Sequence, residues 1–258
     1  MEVLRMENVS ISYGETSVVK NINFQLQRGE IISIVGESGS GKSTILNAII
    51  GFLPEEGRIQ SGEIYYEGKK ITRLSQKEWR LLRGKKIGTI FQEPGSTLNP
   101  FQKIGKQFFE SYRHVLGLPQ KEAKDLMESM FSKVGLKNTE ELIEKFPFQL
   151  SGGMNQRVSI ALATSLGPNL LLADEPTSSL DATIQKNIIE EFLFLKKEFN
   201  MSILLVTHNL ALAKYISDKI LVLFQGNIVD FGTPEEILQS PKSKYTQTLL
   251  ADIPKIKE

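Results

Sequence analysis

Ile31 to Ile50 reads IISIVGESGSGKSTILNAII. The first five residues are β-rich and the last six suit a buried helix, so the nonamer between them, Gly36 to Thr44, joins a strand to a helix. GESGSGKST fits the pattern G-x-x-x-x-G-K-[ST], and its strand, loop, helix context separates it from chance matches. Gly36, Gly39 and Gly41 let the backbone turn its N–H groups inward and approach a polyanion, with the positive end of a helix dipole behind them. Triphosphate is the natural occupant. Lys42 would reach the β- and γ-phosphates, the Ser43 hydroxyl would ligate Mg²⁺ and Thr44 would help at the α-phosphate, with Glu37, Ser38 and Ser40 completing the cradle.

The second half of such a site is read at Leu170-Leu171-Leu172-Ala173-Asp174. A run with no polar alternation is a candidate central parallel strand, and open parallel sheets bind ligands at the carboxyl ends of their strands. Asp174 at such an end is a second Mg²⁺ ligand. Glu175 follows it, placed to hold and deprotonate an attacking water, a role worth on the order of 10²–10⁴-fold in rate.

Between the two lies Leu150 to Arg157, LSGGMNQR. It resembles the signature sequence of ATP-binding cassette proteins, and other parts of that family's pattern are present. Gln92 in IFQEP resembles the glutamine loop, Ser178-Ser179-Leu180-Asp181 the aspartate loop, and His208 in LVTHN the switch histidine. The resemblance implies that Gln92 and His208 act with Glu175 in catalysis, that Gln92 joins Ser43 and Asp174 on the metal, that Asp181 belongs to the nucleotide site, and that Tyr13 in ISYG stacks on adenine. It implies ATP and Mg²⁺ as cofactors. Ser151, Gly152 and Gly153 are expected to open a helix, Met154 to Leu166, whose N-terminus offers a hydroxyl and free N–H groups to an anion. In the family that anion is the γ-phosphate of the opposite domain. One phosphate loop and one signature therefore require pairing, and ATP hydrolysis drives a cycle of closed and open states.

FQEPGSTLNP (Phe91 to Pro100), GRIQSGEI (Gly57 to Ile64), DATIQ (Asp181 to Gln185) and YTQTLL (Tyr245 to Leu250) narrow the resemblance to the ATPase subunits of dipeptide, oligopeptide and nickel importers. That implies a second ABC ATPase subunit as partner, a heterodimer before a homodimer. It also implies two integral membrane permease subunits, an extracytoplasmic binding protein reached indirectly, and a peripheral position on the cytoplasmic face of the membrane. Gly95 stands where the family often has methionine, and Ser243-Lys244 replace a His-Pro. The missing cysteine-bearing extension tilts the reading toward the nickel or metal-chelate branch. A soluble or regulatory ABC ATPase uncoupled from transport is the alternative; the presence of Glu175 and His208 argues against a module that binds without turnover.

Composition agrees. The 258 residues can bury a substantial core, and a net charge of +1 supplies no field for nucleic acid. With no cysteine, neither a disulfide nor an iron–sulfur cluster can form. No apolar stretch approaches the roughly 18 residues of a membrane span and none resembles a signal peptide, so membrane contact is expected through a partner.

The expected fold class is α/β, a phosphate-loop NTPase (RecA-like) core with an antiparallel β subdomain and an inserted helical subdomain. Within a single 1–258 domain, 1–91 and 158–238 form the core, 92–157 the helical subdomain with the signature, and 239–258 a C-terminal tail. Helical spacing falls at Gly105 to Leu116, Gln120 to Val134 and Glu140 to Lys145, broken by Pro119, Gly135 and Pro147. Tyr245 to Glu258 reads as a short polar tail. His114 is expected on a helix surface, and Trp79 packed against a neighbouring helix.

Overall fold

The computed structural model describes residues 1–92, 97–177 and 182–251. They fall into two compact units, Met1–Arg80 with Ser202–Glu258, and Leu81–Met201.

In the first unit, β1 (Glu2–Tyr13) and β2 (Thr16–Gln27) form a hairpin, extended by β4 (Gly57–Tyr66) and β5 (Lys69–Lys70) in the order β2-β1-β4-β5. All neighbours in this sheet are antiparallel. Val19, Ile22, Phe24 and Leu26 of β2 face the core while Lys20, Asn23 and Gln25 face water, the period of a half-buried strand. Irregular register near Asn8 and Asn21, both with positive φ, bends the hairpin at bulges.

A second sheet of this unit is read from strands buried on both faces. β3 (Ile31–Val35) and β8 (Ser202–Thr207) are buried at every position, and β3 lies parallel to both β8 and β9 (Lys219–Phe224). Strand β10 (Asn227–Gly232) returns antiparallel to β9. Helix α1 (Lys42–Ile49) follows the phosphate loop. Trp79, on α2 (Gln76–Leu82), is buried with its ring on Gly51: a Cβ there would meet the indole at 2.2 Å.

In the second unit, β6 (Ile87–Ile90) pairs in parallel with β7 (Leu170–Asp174). Between them run α3 (Ile104–Leu116), α4 (Gln120–Lys133), α5 (Thr139–Ile143) and α6 (Gly152–Ser165); α7 (Ala182–Phe199) comes after β7. Phe108 meets Tyr112 and Phe131 edge to face, at 5.9 and 4.9 Å between centroids, and seals α3 to α4. Gly88 lets the signature helix α6 approach β6 closely, because a Cβ would stand 2.5 Å from the Ala163 carbonyl oxygen. His114 is exposed on α3, as expected.

The chain's end differs from the polar tail expected of Tyr245 onward. After α8 (Leu210–Ile216) and α9 (Pro234–Gln239), Lys244–Ala251 forms a helix, α10. Tyr245, Leu249 and Leu250 lie on one of its faces and pack against the buried cluster of Val35, Leu210, Ala213, Ile220, Val222 and Ile237. Polar letters between those three residues hide a helical spacing that pays off only against the sheet. Among the described residues no helix is long and apolar enough to cross a membrane.

Candidate functional site

The phosphate loop leaves β3 through a passage only glycine fits. A Cβ on Gly36 would lie 2.2 Å from the backbone oxygen of Leu223 at the end of β9. Gly39 and Gly41 have φ of +78° and +105°, a region closed to most side chains. The β9–β10 turn holds the far limb, Gly226 N–H donating to the Ser40 carbonyl at 3.1 Å. Helix α1 has no side-chain cap and no acid in its first turn, so the positive end of its dipole favours an anion. Lys42 is buried along the loop, its Nζ donating to the carbonyls of Gly36 (2.9 Å) and Glu37 (2.8 Å). The Ser40 hydroxyl is buried inside the loop with no hydrogen-bond partner among the described residues, and Ser43 is exposed at the helix start. Buried donors and a bare helix end fit a polyphosphate.

Two sequence-predicted residues join this loop within the first unit. The Tyr13 hydroxyl donates to Thr44 Oγ1 at 3.2 Å, and its ring covers Gly57, where a Cβ would meet it at 2.6 Å. Val35 is in register with Thr207, so Gly36 and His208 leave paired strands at the same end. His208 is exposed, and Asn209 behind it caps α8 by accepting from Leu212 N–H at 3.1 Å.

The second unit brings together the other set. Ile90 pairs with Ala173, so Gln92 and the Asp174-Glu175 pair follow neighbouring strands at their carboxyl ends. Gln92 is exposed and both acids are half-buried. Glu175 has φ of +46°, a left-handed conformation unusual for a side chain of its size and costing on the order of 1–3 kcal/mol. These oxygen donors suit a hard cation such as Mg²⁺. Among the described residues no three carboxylates or imidazoles cluster.

The signature stands at a helix N-terminus. Ser151 caps α6, its Oγ accepting from Met154 N–H at 3.3 Å, and no acid occupies the first turn. Ser151 and Gly152 are exposed, and a Cβ on Gly152 would touch nothing within 4 Å. The helix begins at Gly152, two residues before the expected Met154, because the cap overrides the poor helix propensity of the glycines. Asp181, with Ser178 to Leu180, lies outside the described residues, as do Glu93 to Ser96. One contact was missed in the sequence: the Glu37 N–H of the phosphate loop donates to the Tyr245 hydroxyl at 2.8 Å. The YTQTLL letters mark the residue, but nothing local places it beside a loop some 200 residues earlier.

The family model described as ABC transporter matches residues 19–178, more than half of the chain and the span from β2 through the acidic strand end. The chain belongs to the ABC transporter family. It is an ATPase of that family, with the phosphate-loop NTPase fold and its antiparallel β and helical additions. The oligopeptide transport ATP-binding protein AmiE of Streptococcus pneumoniae is 41% identical over 241 residues, 93% of this chain and 68% of AmiE. OppD of Bacillus subtilis, an oligopeptide transport ATP-binding protein, is 41% identical over 98% of this chain and 72% of its own. DppD of Escherichia coli, a dipeptide transport ATP-binding protein, is 38% identical over 98% of this ABC ATPase and 79% of DppD. Among solved structures, cbiO1 of Clostridium perfringens, part of an ABC transporter complex, superposes with TM-score 0.80 at 28% identity, covering 92% of this chain and 90% of cbiO1. A dimeric ATP-binding cassette in a post-hydrolysis state, bound to ADP and Pi, superposes with TM-score 0.79 at 30% identity, covering 90% of this chain and 98% of its own.

Proposed function

We propose that this ABC ATPase is the nucleotide-binding subunit of a binding-protein-dependent importer of dipeptides or oligopeptides. The observation that carries the reading is the identity of about two residues in five, over nearly all of this chain, to peptide transport ATP-binding proteins from several bacteria. Peptide is favoured over nickel or a metal chelate because these relatives are oligopeptide and dipeptide transport ATP-binding proteins.

In the proposed cycle, ATP enters with its adenine against Tyr13 and its phosphates over the N-terminus of α1. Lys42 exchanges the carbonyls of Gly36 and Glu37 for the β- and γ-phosphates, and the N-terminal end of the α1 dipole favours the remaining charge. Ser43, Asp174 and Gln92 would hold Mg²⁺, which when bound neutralises phosphate charge. Glu175 accepts the proton of the attacking water while His208 and Gln92 hold the γ-phosphate region in line. Asp181 completes the site.

Ser151, Gly152 and Gly153 present an exposed helix N-terminus with no acid in its first turn, which suits the γ-phosphate of a second ATPase subunit bound head to tail. A heterodimer on the cytoplasmic face of the membrane, docked on two permease subunits and fed by an extracytoplasmic binding protein, would convert closure and hydrolysis into uptake.

The deciding experiment is Mg-ATP turnover of the complex purified from solubilised membranes, with binding protein loaded in turn with peptide or nickel. Stimulation by peptide alone is expected. Stimulation by nickel alone would transfer the reading to the metal branch, and turnover indifferent to both, with no membrane partner recovered, would leave an ABC ATPase uncoupled from transport.

A further inference from the structure

We infer that Tyr245 is a positioning residue of the phosphate loop, its hydroxyl holding the Gly36-Glu37 limb in the shape that receives nucleotide. The inference rests on the reading of Gly36 to Thr44 as the ATP site and adds a residue from the far end of the chain to it.

The tyrosine is placed by the sheet, not by the loop. Its ring stacks on Phe224, with centroids 4.2 Å apart and planes at 28°. Phe224 ends β9, next to Leu223, whose carbonyl oxygen lies close against Gly36. The helix bearing Tyr245 is anchored on β10: Asp230, 5% exposed, accepts from the N–H groups of Lys242 and Ser243, each at 3.0 Å, and from the Thr246 hydroxyl. Burial would raise the Asp230 carboxyl, yet these three donors hold it below the ordinary aspartate value, a sign that the anchor is made to the charged form. Ser243 Oγ closes the first turn by accepting from Thr246 N–H at 3.0 Å.

The backbone of Glu37 is thereby held on both sides of its Cα. Its N–H donates to Tyr245 at 2.8 Å, and its carbonyl accepts from Lys42 at 2.8 Å. The two bonds differ in what competes with them. A triphosphate draws the Lys42 ammonium away from the carbonyls, whereas Tyr245 approaches the limb from the C-terminal helix and meets no such rival. With Lys42 on the phosphates, the Tyr245 hydroxyl keeps the limb in place, so less order has to be created when nucleotide binds.

The test is Tyr245→Phe in the full chain, which keeps the ring on Phe224 and removes one acceptor. The Kd and KM for Mg-ATP should rise about 3- to 10-fold, the worth of one partly exposed hydrogen bond. The kcat at saturating ATP and the thermal midpoint without nucleotide should match the wild type. Amide hydrogen exchange at Glu37 should accelerate in the nucleotide-free protein. Asp230→Ala, which frees the helix, should reproduce the affinity loss with a lowered thermal midpoint. Wild-type affinity and wild-type Glu37 protection in Tyr245→Phe would overturn the inference; so would an affinity loss that accompanies a fallen thermal midpoint with Glu37 exchange unchanged. Lys42→Ala run alongside separates the two ideas, because nucleotide binding at wild-type strength there removes the phosphate-loop reading itself.

Discussion

Gly36 meets its neighbours so closely that one methyl group is a decisive probe. Gly36→Ala would push a carbon to within 2.2 Å of the Leu223 oxygen, so β9 or the loop must move. Nucleotide affinity is expected to fall at least 10-fold, with the thermal midpoint lowered by a destabilisation of roughly 1–3 kcal/mol; calorimetry with and without ATP reads both. Glu175→Gln changes the chemistry and not the backbone. It should bind ATP as the wild type does and lose about 10²- to 10⁴-fold in single-turnover hydrolysis, and an unchanged rate would remove Glu175 as the base. Most of this site was legible as letters, because phosphate loops, acid-ended strands and capped signature helices are local in sequence. The left-handed backbone of Glu175 was not, since no residue type announces a φ of +46° outside glycine and asparagine.

Among the elements, α7 carries the clearest dependence on pH. Glu191 on this helix has a buried Oε1 without a hydrogen-bond partner among the described residues. Burial raises its pKa from 4.5 to about 7, against the pull of Arg157 and Lys133. Between those values the native state holds a proton that the unfolded chain has lost, so stability falls as pH rises through the window. Glu191→Gln keeps the shape without the charge. It should be more stable than the wild type at pH 8 by roughly 1 kcal/mol, after discounting for the carboxyl's partial exposure, and the gap should close near pH 4. Urea melts at the two pH values give the comparison. The helices at Ile104–Leu116, Gln120–Lys133 and Thr139–Ile143 matched their sequence reading to within one or two residues, because apolar spacing and the breakers Pro119 and Gly135 act locally. Helix α10 was missed because its anchor, Asp230, lies thirteen residues before Ser243 and its apolar face is three residues wide.

For the molecule as a whole, the exposed cap at Ser151 sets the expected assembly. In a Glu175→Gln background, ATP should shift the chain, alone or mixed with its partner ATPase subunit, toward a two-ATPase complex in light scattering. Adding Ser151→Arg should abolish that shift while each subunit still binds ATP; a complex formed normally would remove the cross-subunit role of the signature. The order of motifs was enough to forecast the α/β class and the helical insertion. Pairing across the chain was not legible, since a parallel strand carries no mark of its neighbour. That pairing has a consequence for how the protein is made. Ile31 is matched with Ile203, so the strand that feeds the phosphate loop waits for a partner synthesised roughly 170 residues later, a delay of about 10–35 s at ordinary ribosomal speeds. The Tyr245 contact comes later still. ATP therefore cannot act as a template while the loop is being made; it can only recognise a chain already extended past β8 and Tyr245.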